Sequence, residues 1–275
     1  MTRPLVLKLG GELLEDPARL AVLVHAIRVI ATNGPLVVVH GGGKEIDAAL
    51  EAAGIEKRQV EGLRITNDAT LDVVVSVLAG TINTRVVAAL TTAGVAAVGL
   101  TGADAACGLS DQAPPHRTVD GRLVDLERVG VPSPAADVGV VALLAGRGLV
   151  PVVACIGLGA DGRLLNVNAD TCAGHLAARL GARRLVIAGT TRGVLDGSGA
   201  TVPVLALEGI ERLIAGGTAT AGMIAKLRAC EYALAQGVDD VVIVNGRDGE
   251  ALEAAAIAAA PAHATTLVSI AAASQ

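Results

Sequence analysis

Two glycine-rich turns beside basic residues are the part of this sequence best suited to chemistry. Lys8 lies in the apolar run Leu5–Leu9, and Gly10 and Gly11 follow that run at once. A lysine in a buried strand costs desolvation energy unless an anion meets it, and adjacent glycines let backbone N–H groups approach such an anion. The same residues also fit a lysine that extends out of a strand end beside an ordinary turn.

The second turn is His40-Gly41-Gly42-Gly43, which follows the next apolar run and precedes a helix-length segment. Successive glycines at a strand-to-helix turn form a nest of N–H groups suited to phosphate, and the helix N-terminus reinforces it. The spacing matches neither a P-loop nor a GxGxxG motif. A flexible turn without a ligand is the alternative interpretation.

Arg64, in the segment Gly62–Thr66, and Lys226, in the segment Gly222–Lys226, are further basic residues next to glycines. An arginine at this position can form a bidentate pair with a carboxylate, although a plain surface arginine also fits. Lys226 lies in the first turns of a predicted helix, where the helix dipole normally favours acids. An anion bound at that helix end would remove the conflict.

Asn166-Val167-Asn168-Ala169-Asp170 forms another predicted strand-to-helix junction. Asn168 is a candidate N-cap and Asp170 lies in the first turn, so both have a structural role available. Two asparagines and an aspartate on one tight turn can also bind an amide ligand and orient lysines. Phosphoryl transfer needs mainly positioning and positive charge around the moving oxygens, and the residues above fit that task jointly.

Short aliphatic runs alternate with helix-length segments along the chain. The runs predict buried strands at Leu5–Leu9, Leu36–Val39, Val95–Leu100, Leu149–Ala154, Leu185–Ala188 and Val241–Val244. The segments predict helices at Pro17–Thr32, Glu45–Ala53, Asp68–Thr92, Pro134–Arg147, Asp170–Leu180, Gly222–Gln236 and Ala251–Ala260. This alternation predicts an α/β fold with a mostly parallel sheet covered on both faces, and ligands bind beyond the carboxyl ends of such strands.

Other segments interrupt this alternation. Ile55–Ile65 and Ala106–Val124 are rich in turn residues and predict hairpins or lids beside the sheet, while Gly157–Gly162 and Ala215–Ala221 predict glycine-rich loops.

Composition excludes several classes of function. The chain has 275 residues, a net charge of −5, no Phe or Trp and a single Tyr, so it lacks the aromatic and basic surfaces typical of nucleic-acid binding. The uncharged stretch Val86–Ala103 approaches membrane-spanning length, but Gly94 and Gly99 favour a helix end, a turn and a strand. Because the first strand-like run begins almost at once, we expect no signal peptide. Four dispersed cysteines predict free thiols in a reducing cytoplasm rather than disulfides or zinc ligands.

The chain resembles the amino acid kinase family over essentially its whole length. The resemblance depends on segments in the family's order and approximate spacing: Lys8–Gly11, His40–Gly43, Gly62–Thr66, Asn166–Asp170 and Gly222–Lys226. Ala79–Asn83, Val98–Leu100 and Pro151–Val153 also match. Together these motifs resemble the members that phosphorylate N-acetyl-L-glutamate rather than carbamate or aspartate.

The resemblance implies a three-layer αβα sandwich and a role for each matching residue. Lys8, Lys226 and Asp170 are the implied catalytic residues: Lys8 stabilises the migrating phosphoryl group, Lys226 holds the ATP phosphates, and Asp170 orients both lysines. Backbone N–H groups of Gly10 and Gly11 would contact phosphate. Substrate binding would involve Gly42, Gly43, Arg64 and Asn166, with Arg64 on the α-carboxylate.

The resemblance also implies cofactors, lobes and assembly. ATP and Mg²⁺ are expected, with the metal held largely by the nucleotide rather than by protein ligands. A single domain would comprise an N-terminal lobe over about 1–180 for the acyl substrate and a C-terminal lobe over about 181–275 for ATP. We expect a cytoplasmic homodimer formed through the helix at Asp68–Thr92, insensitive to arginine because the extra N-terminal helix of arginine-inhibited hexameric relatives is lacking.

One departure from the family concerns Thr190, which stands where relatives commonly have an acid. The family's pattern for nucleotide or lysine positioning is therefore not met at that point. The alternatives are a kinase for a related carboxylate such as carrier-linked aminoadipate, a catalytically inactive binding module that retains the fold, and an NAD-binding protein. The absence of a basic docking surface argues against a carrier-linked substrate. The presence of Lys8, Asp170 and Lys226 argues against an inactive module, and the lack of GxGxxG argues against NAD binding.

Overall fold

A mainly parallel sheet of eight strands forms the centre of the protein, whose computed structural model describes residues 2–215 and 221–269. The strands are β1 (Leu5–Leu9), β2 (Leu36–His40), β5 (Ala97–Thr101), β10 (Val150–Ala154), β13 (Arg184–Gly189), β14 (Val204–Ala206), β15 (Asp240–Asn245) and β16 (Thr265–Val268). Their spatial order is β14-β16-β15-β13-β1-β2-β10-β5, and β16 runs antiparallel to β15. The six predicted strands are confirmed, with small shifts at their ends, whereas the edge strands β14 and β16 were not predicted.

Helices cover both faces of this sheet, which confirms the predicted three-layer αβα sandwich. One face is covered by α1 (Pro17–Thr32), α2 (Gly43–Ala52), α3 (Asp68–Val75), α4 (Asn83–Thr92) and α9 (Gly249–Ile257). The other face is covered by α5 (Gly139–Gly146), α6 (Ala169–Arg179), α7 (Leu207–Ala215) and α8 (Ala221–Ala235). The helix predicted at Pro134–Arg147 begins later than expected, at Gly139, whose N–H donates to the Asp137 carboxylate at 2.8 Å.

Alternation along β1 decides where its single charged side chain points. Leu5, Leu7 and Leu9 join the core beneath α1, whereas Val6 joins the core beneath α6 and α8. Because strand side chains alternate with a period of two, Lys8 lies on the same face as Val6. The sheet therefore directs the Lys8 ammonium group towards α6 and α8.

The segment predicted as one helix, Asp68–Thr92, is helical throughout but contains a π-helical stretch, Ser76–Ile82, between α3 and α4. Asn67 caps its start by accepting the Thr70 N–H at 2.8 Å. Among the described residues this is the one segment long and apolar enough to span a membrane. A stripe of buried side chains joins it to the core: Leu71, Val74, Leu78, Ile82, Val86 and Leu90. It is therefore a core helix.

A second, four-stranded sheet was not predicted. It consists of β6 (Ser110–Gln112), β9 (Val129–Pro132), β11 (Ile156–Leu158) and β12 (Leu164–Val167), in the order β11-β12-β9-β6. The segment Gly157–Gly162, predicted as a loop, is thus largely the turn between β11 and β12. Two predicted hairpins are confirmed: β3 (Gln59–Val60) with β4 (Leu63–Arg64), and β7 (His116–Arg117) with β8 (Leu123–Val124). Most of the predicted glycine-rich loop Ala215–Ala221 lies outside the described residues.

Candidate active site

The two glycine-rich turns meet at the carboxyl ends of β1 and β2. A Cβ atom on Gly11 would lie 2.6 Å from the Gly42 Cα and 2.7 Å from the Gly42 nitrogen, so any side chain there would push the turns apart. On its other side Gly42 contacts Leu78 and Ile82, which the π-helical stretch presents. Close approach of backbone requires glycine at position 11, whereas a Cβ atom on Gly42 would collide with the side-chain ends of Leu78 and Ile82. The two turns form one continuous surface.

The N–H groups of these turns are not equally available. Gly42 and Gly43 precede and begin α2, and no backbone acceptor among the described residues faces their N–H groups. The Gly10 N–H, in contrast, donates to the Ala188 carbonyl at 2.9 Å and continues the sheet. The predicted phosphate contact through the Gly10 N–H would have to compete with this bond, and it stays a prediction. Gly11 stays a candidate donor.

Lys8, Asp170 and Lys226 form a buried ion cluster at the same end of the sheet. The Lys8 Nζ lies 2.9 Å and the Lys226 Nζ 3.3 Å from the same Asp170 oxygen, Oδ1. Side-chain exposures are 9% for Lys8, 12% for Asp170 and 14% for Lys226. Asn168 fixes this turn of α6, because its side chain accepts the N–H groups of Asp170 at 2.9 Å and Thr171 at 3.1 Å.

The three side chains of the ion cluster carry a net positive charge, because two ammonium groups share one carboxylate. Burial alone would raise the pKa of Asp170, but Lys8 and Lys226 outweigh burial and lower it, so the carboxylate is ionised. Burial likewise opposes the charge on Lys8, but Asp170 and Glu12 raise its pKa. Burial and repulsion by Lys8 lower the pKa of Lys226. Two ammonium groups sharing one carboxylate are incompletely compensated, which favours binding of a further anion.

A cavity of about 250 Å³ opens beside the glycine turns. The four residues predicted to bind substrate all line it, namely Gly42, Gly43, Arg64 and Asn166. Apolar side chains, including Leu78 and Val167, complete the lining. Asn166 donates through Nδ2 to the Thr66 hydroxyl at 3.1 Å, which leaves its Oδ1 for a ligand. The structure thus brings together the residues predicted to bind the acyl substrate.

Arg64 presents one end of its guanidinium to the protein and keeps the other end unpaired. Its Nη2 donates to the Asp47 carboxylate and approaches the Gly43 carbonyl at 3.4 Å. Its Nη1 is buried and has no partner among the residues that the structure describes. A buried, unpaired N–H group costs free energy that an anionic ligand would recover.

His40 and Asn83 support the glycine turn from below, and their roles were not predicted. The fully buried His40 ring has Nδ1 3.2 Å from the Gly41 carbonyl and Nε2 3.1 Å from the Asn83 Nδ2, which also donates to the Val152 carbonyl at 2.8 Å. Burial lowers the pKa of His40 to about 4, so the ring is neutral. A histidine at the end of an otherwise apolar strand was the available indication.

The end of β13 was expected to contribute to nucleotide or lysine positioning. Gly189 ends β13 next to Gly10, and Thr190 follows it. The Glu12 carboxylate lies over Gly10 and within reach of Gly189. Among the described residues no group of three or more His, Cys, Asp or Glu could hold a metal ion.

Comparison with known proteins places this geometry in context. A model of the amino acid kinase family matches residues 3–245. An acetylglutamate kinase of Acidiphilium cryptum (strain JF-5) is 41% identical over 251 residues, covering 88% of this chain and 83% of that protein. An acetylglutamate kinase of Chloroflexus aurantiacus (strain ATCC 29366 / DSM 635 / J-10-fl) is 45% identical over 246 residues, covering 89% and 93%.

Among solved structures, N-acetylglutamate synthase from Neisseria gonorrhoeae, complexed with coenzyme A and N-acetyl-glutamate, superposes with a TM-score of 0.81. The match covers 97% of this chain but 59% of that chain, at 24% identity. At this level of identity the likeness concerns the fold alone.

Proposed function

The chain belongs to the amino acid kinase family, and from that premise we propose that it transfers the γ-phosphoryl group of ATP to the γ-carboxylate of N-acetyl-L-glutamate. The products are N-acetyl-L-glutamyl 5-phosphate and ADP, in a step of arginine biosynthesis. The principal support is Asp170 held between Lys8 and Lys226, next to a cavity that Arg64 and Asn166 line. Both curated relatives have the name of this activity.

The proposed reaction is a direct displacement at phosphorus. A γ-carboxylate oxygen of the substrate attacks the γ-phosphorus, the bond from that phosphorus to the bridging oxygen breaks, and ADP leaves with the electron pair. An ionised carboxylate needs no general base. Lys8, on β1, stabilises the equatorial oxygens as charge moves, while Lys226 neutralises the departing phosphate. Asp170 orients both ammonium groups.

The cavity suits a small acylated amino acid. Arg64 would receive the α-carboxylate through its unpaired Nη1, and Asn166 Oδ1 would accept the amide N–H of the acetamido group. The N–H groups of Gly42 and Gly43, reinforced by the N-terminus of α2, would approach the reacting carboxylate. A volume of about 250 Å³ fits a free metabolite better than a carrier-linked chain.

Mg²⁺ would accompany ATP and supply further charge neutralisation of the phosphates. The donor set fits a metal held mainly by nucleotide oxygens, because Asp170 is already paired with two lysines. Glu12 is the remaining carboxylate next to Lys8 and could complete the coordination shell.

Lobes, assembly and location are part of the same proposal. The cavity lining lies between residues 41 and 169, whereas Lys226 comes from α8, which is consistent with an acyl lobe over about 1–180 and an ATP lobe over about 181–275. We propose a cytoplasmic homodimer that pairs through the helix Asp68–Thr92. Sedimentation equilibrium tests the assembly, and a monomer would contradict it.

Trapping with hydroxylamine tests the activity, because an acyl phosphate yields a coloured iron–hydroxamate complex. The purified chain is incubated with MgATP and N-acetyl-L-glutamate, N-acetyl-L-aspartate or 2-aminoadipate. We expect product with acetylglutamate at a kcat/KM well above those of the other two acceptors. No hydroxamate from acetylglutamate, or faster turnover of another acceptor, would refute the assignment.

A further inference from the structure

Asp47 connects the substrate arginine to the helix that begins at the glycine turn. It lies on α2, one turn after Gly43, which is the first residue of that helix. Its Oδ1 accepts from the Arg64 Nη2, and its Oδ2 accepts from the Lys57 Nζ at 2.8 Å. One rigid helix therefore presents both the N–H groups at the cavity and the carboxylate that holds Arg64.

Arg64 has few other constraints of its own. It ends β4, which has two residues and, in the part of the chain that the structure describes, pairs with the equally short β3. An arginine on such a hairpin would lose much side-chain and backbone entropy on meeting a ligand unless something had already fixed it. The contact from Nη2 to Gly43 O, at 3.4 Å, is too long to do so.

Charge and burial favour a persistent contact between the two residues. The Arg64 side chain is 15% exposed and that of Asp47 33%. Burial opposes the charge on Asp47, but hydrogen bonds from Lys57 and Arg64 outweigh it and lower the pKa of Asp47, so it stays ionised at neutral pH. Since Asp47 occupies Nη2, the unpaired Nη1 is left for a ligand.

We propose that Asp47 is a positioning residue that fixes Arg64 so that its free N–H edge meets the α-carboxylate of the acyl substrate. This inference rests on the proposed function and adds a residue to it. Asp47 does not line the cavity and acts through Arg64. It determines affinity for acceptors with an α-carboxylate and leaves the phosphoryl-transfer step unchanged.

The test is the kinetics of Asp47→Asn, which keeps the size of the side chain and removes its charge. We expect KM for N-acetyl-L-glutamate to rise about tenfold to a hundredfold, as for loss of a hydrogen bond to a charged group, with kcat and the KM for ATP within about threefold of wild type. Lys57→Met is the matched control, because it removes the other ion pair of Asp47 without touching Arg64. Its KM should stay within about threefold.

A second acceptor, 4-acetamidobutyrate, has the reacting carboxylate but no α-carboxylate. Wild type should prefer acetylglutamate to this analogue strongly, and Asp47→Asn should lose most of that preference without turning the analogue over more slowly. Asp47→Ser repeats the test if the asparagine variant does not fold. An unchanged preference in a folded variant would overturn the role of Asp47. Wild type that does not phosphorylate acetylglutamate would instead overturn the proposed function.

Discussion

The ion cluster of Lys8, Asp170 and Lys226 and the cavity that Arg64 and Asn166 line both contain basic side chains held by a carboxylate, but the two arrangements differ. In the cluster, Lys8 and Lys226 lie on a central strand and a packed helix, and both contact one Asp170 oxygen. In the cavity, Arg64 lies on a two-residue strand and leaves its Nη1 unpaired. The first arrangement is mutually paired, whereas the second is open on the side where we propose that a ligand binds.

This difference matches the demands of the two tasks. Phosphoryl transfer depends on charges held in place before the transition state forms, and buried groups on regular elements meet that demand. Substrate binding depends on contacts that the free protein leaves unmade, and a hairpin with one anchored arginine meets that demand. We therefore expect changes in the cluster to affect kcat and stability, and changes in the cavity to affect KM.

The largest effect should come from Asp170→Asn, which removes the carboxylate that two buried ammonium groups share. Removing one partner of a buried ion pair costs about 3–5 kcal/mol, so we expect a loss of that size in the free energy of unfolding as well as loss of activity. Urea denaturation measures it, and inorganic phosphate should restore part of the stability by binding the folded state. Asp239→Asn, at the exposed pair with Arg3, is the control and should cost less than about 1 kcal/mol. Equal costs would end the distinction between buried and exposed pairs.

Lys8→Ala tests whether the cluster acts on the transition state. Asp170 keeps Lys226 as its partner, so the variant should fold. We expect kcat to fall at least about a hundredfold, as for loss of a transition-state donor, with KM for acetylglutamate little changed. Lys44→Ala is the control: Lys44 directly follows the second glycine turn and its side chain is 73% exposed, so the variant should behave as wild type. A raised KM with normal kcat would instead assign Lys8 to binding.

Arg64→Lys tests the cavity, because it keeps the charge and loses the planar fork. We expect KM for acetylglutamate to rise at least about tenfold while kcat stays within a few-fold of wild type. Steady-state kinetics with ATP held saturating gives both values. A fall in kcat as large as that of Lys8→Ala would show that the two regions are not separable.

Sequence indicated the strands and the site because both depend on local patterns. The aliphatic composition of runs such as Leu5–Leu9 predicts buried strands. The glycines next to Lys8 and His40 predict strand ends that a ligand can approach. The four-stranded sheet was missed because β6, β9, β11 and β12 are short and, apart from the hairpin of β11 with β12, pair with partners distant in sequence.

Side-chain partners were the other part that sequence could not supply. From the sequence, Asp47 is an ordinary acidic residue of a helix, and only the fold shows that it pairs with Arg64. Likewise, only the fold shows that Asn83, directly after the π-helical stretch, contacts His40. From the sequence, the Gly10 N–H is expected to be a free donor, but in the fold β1 pairs with β13 and this N–H donates to the Ala188 carbonyl. Each of these depends on tertiary contacts rather than on local pattern.

The smallest expected effect concerns His40, the buried residue below the glycine turn that both regions share. Its folded-state pKa of about 4 lies below the ordinary 6.5, so the unfolded chain takes up a proton first as the pH falls. Stability from this group is therefore present above pH 6.5 and is lost towards pH 4, by about 2 kcal/mol between pH 7 and pH 5. His40→Gln should show a smaller loss by about that amount over the same interval in urea denaturation. A variant with the same pH dependence as wild type would mean that folding leaves the pKa of His40 near its ordinary value. The support shared by the cluster and the cavity would then titrate like a solvent-exposed imidazole rather than stay neutral.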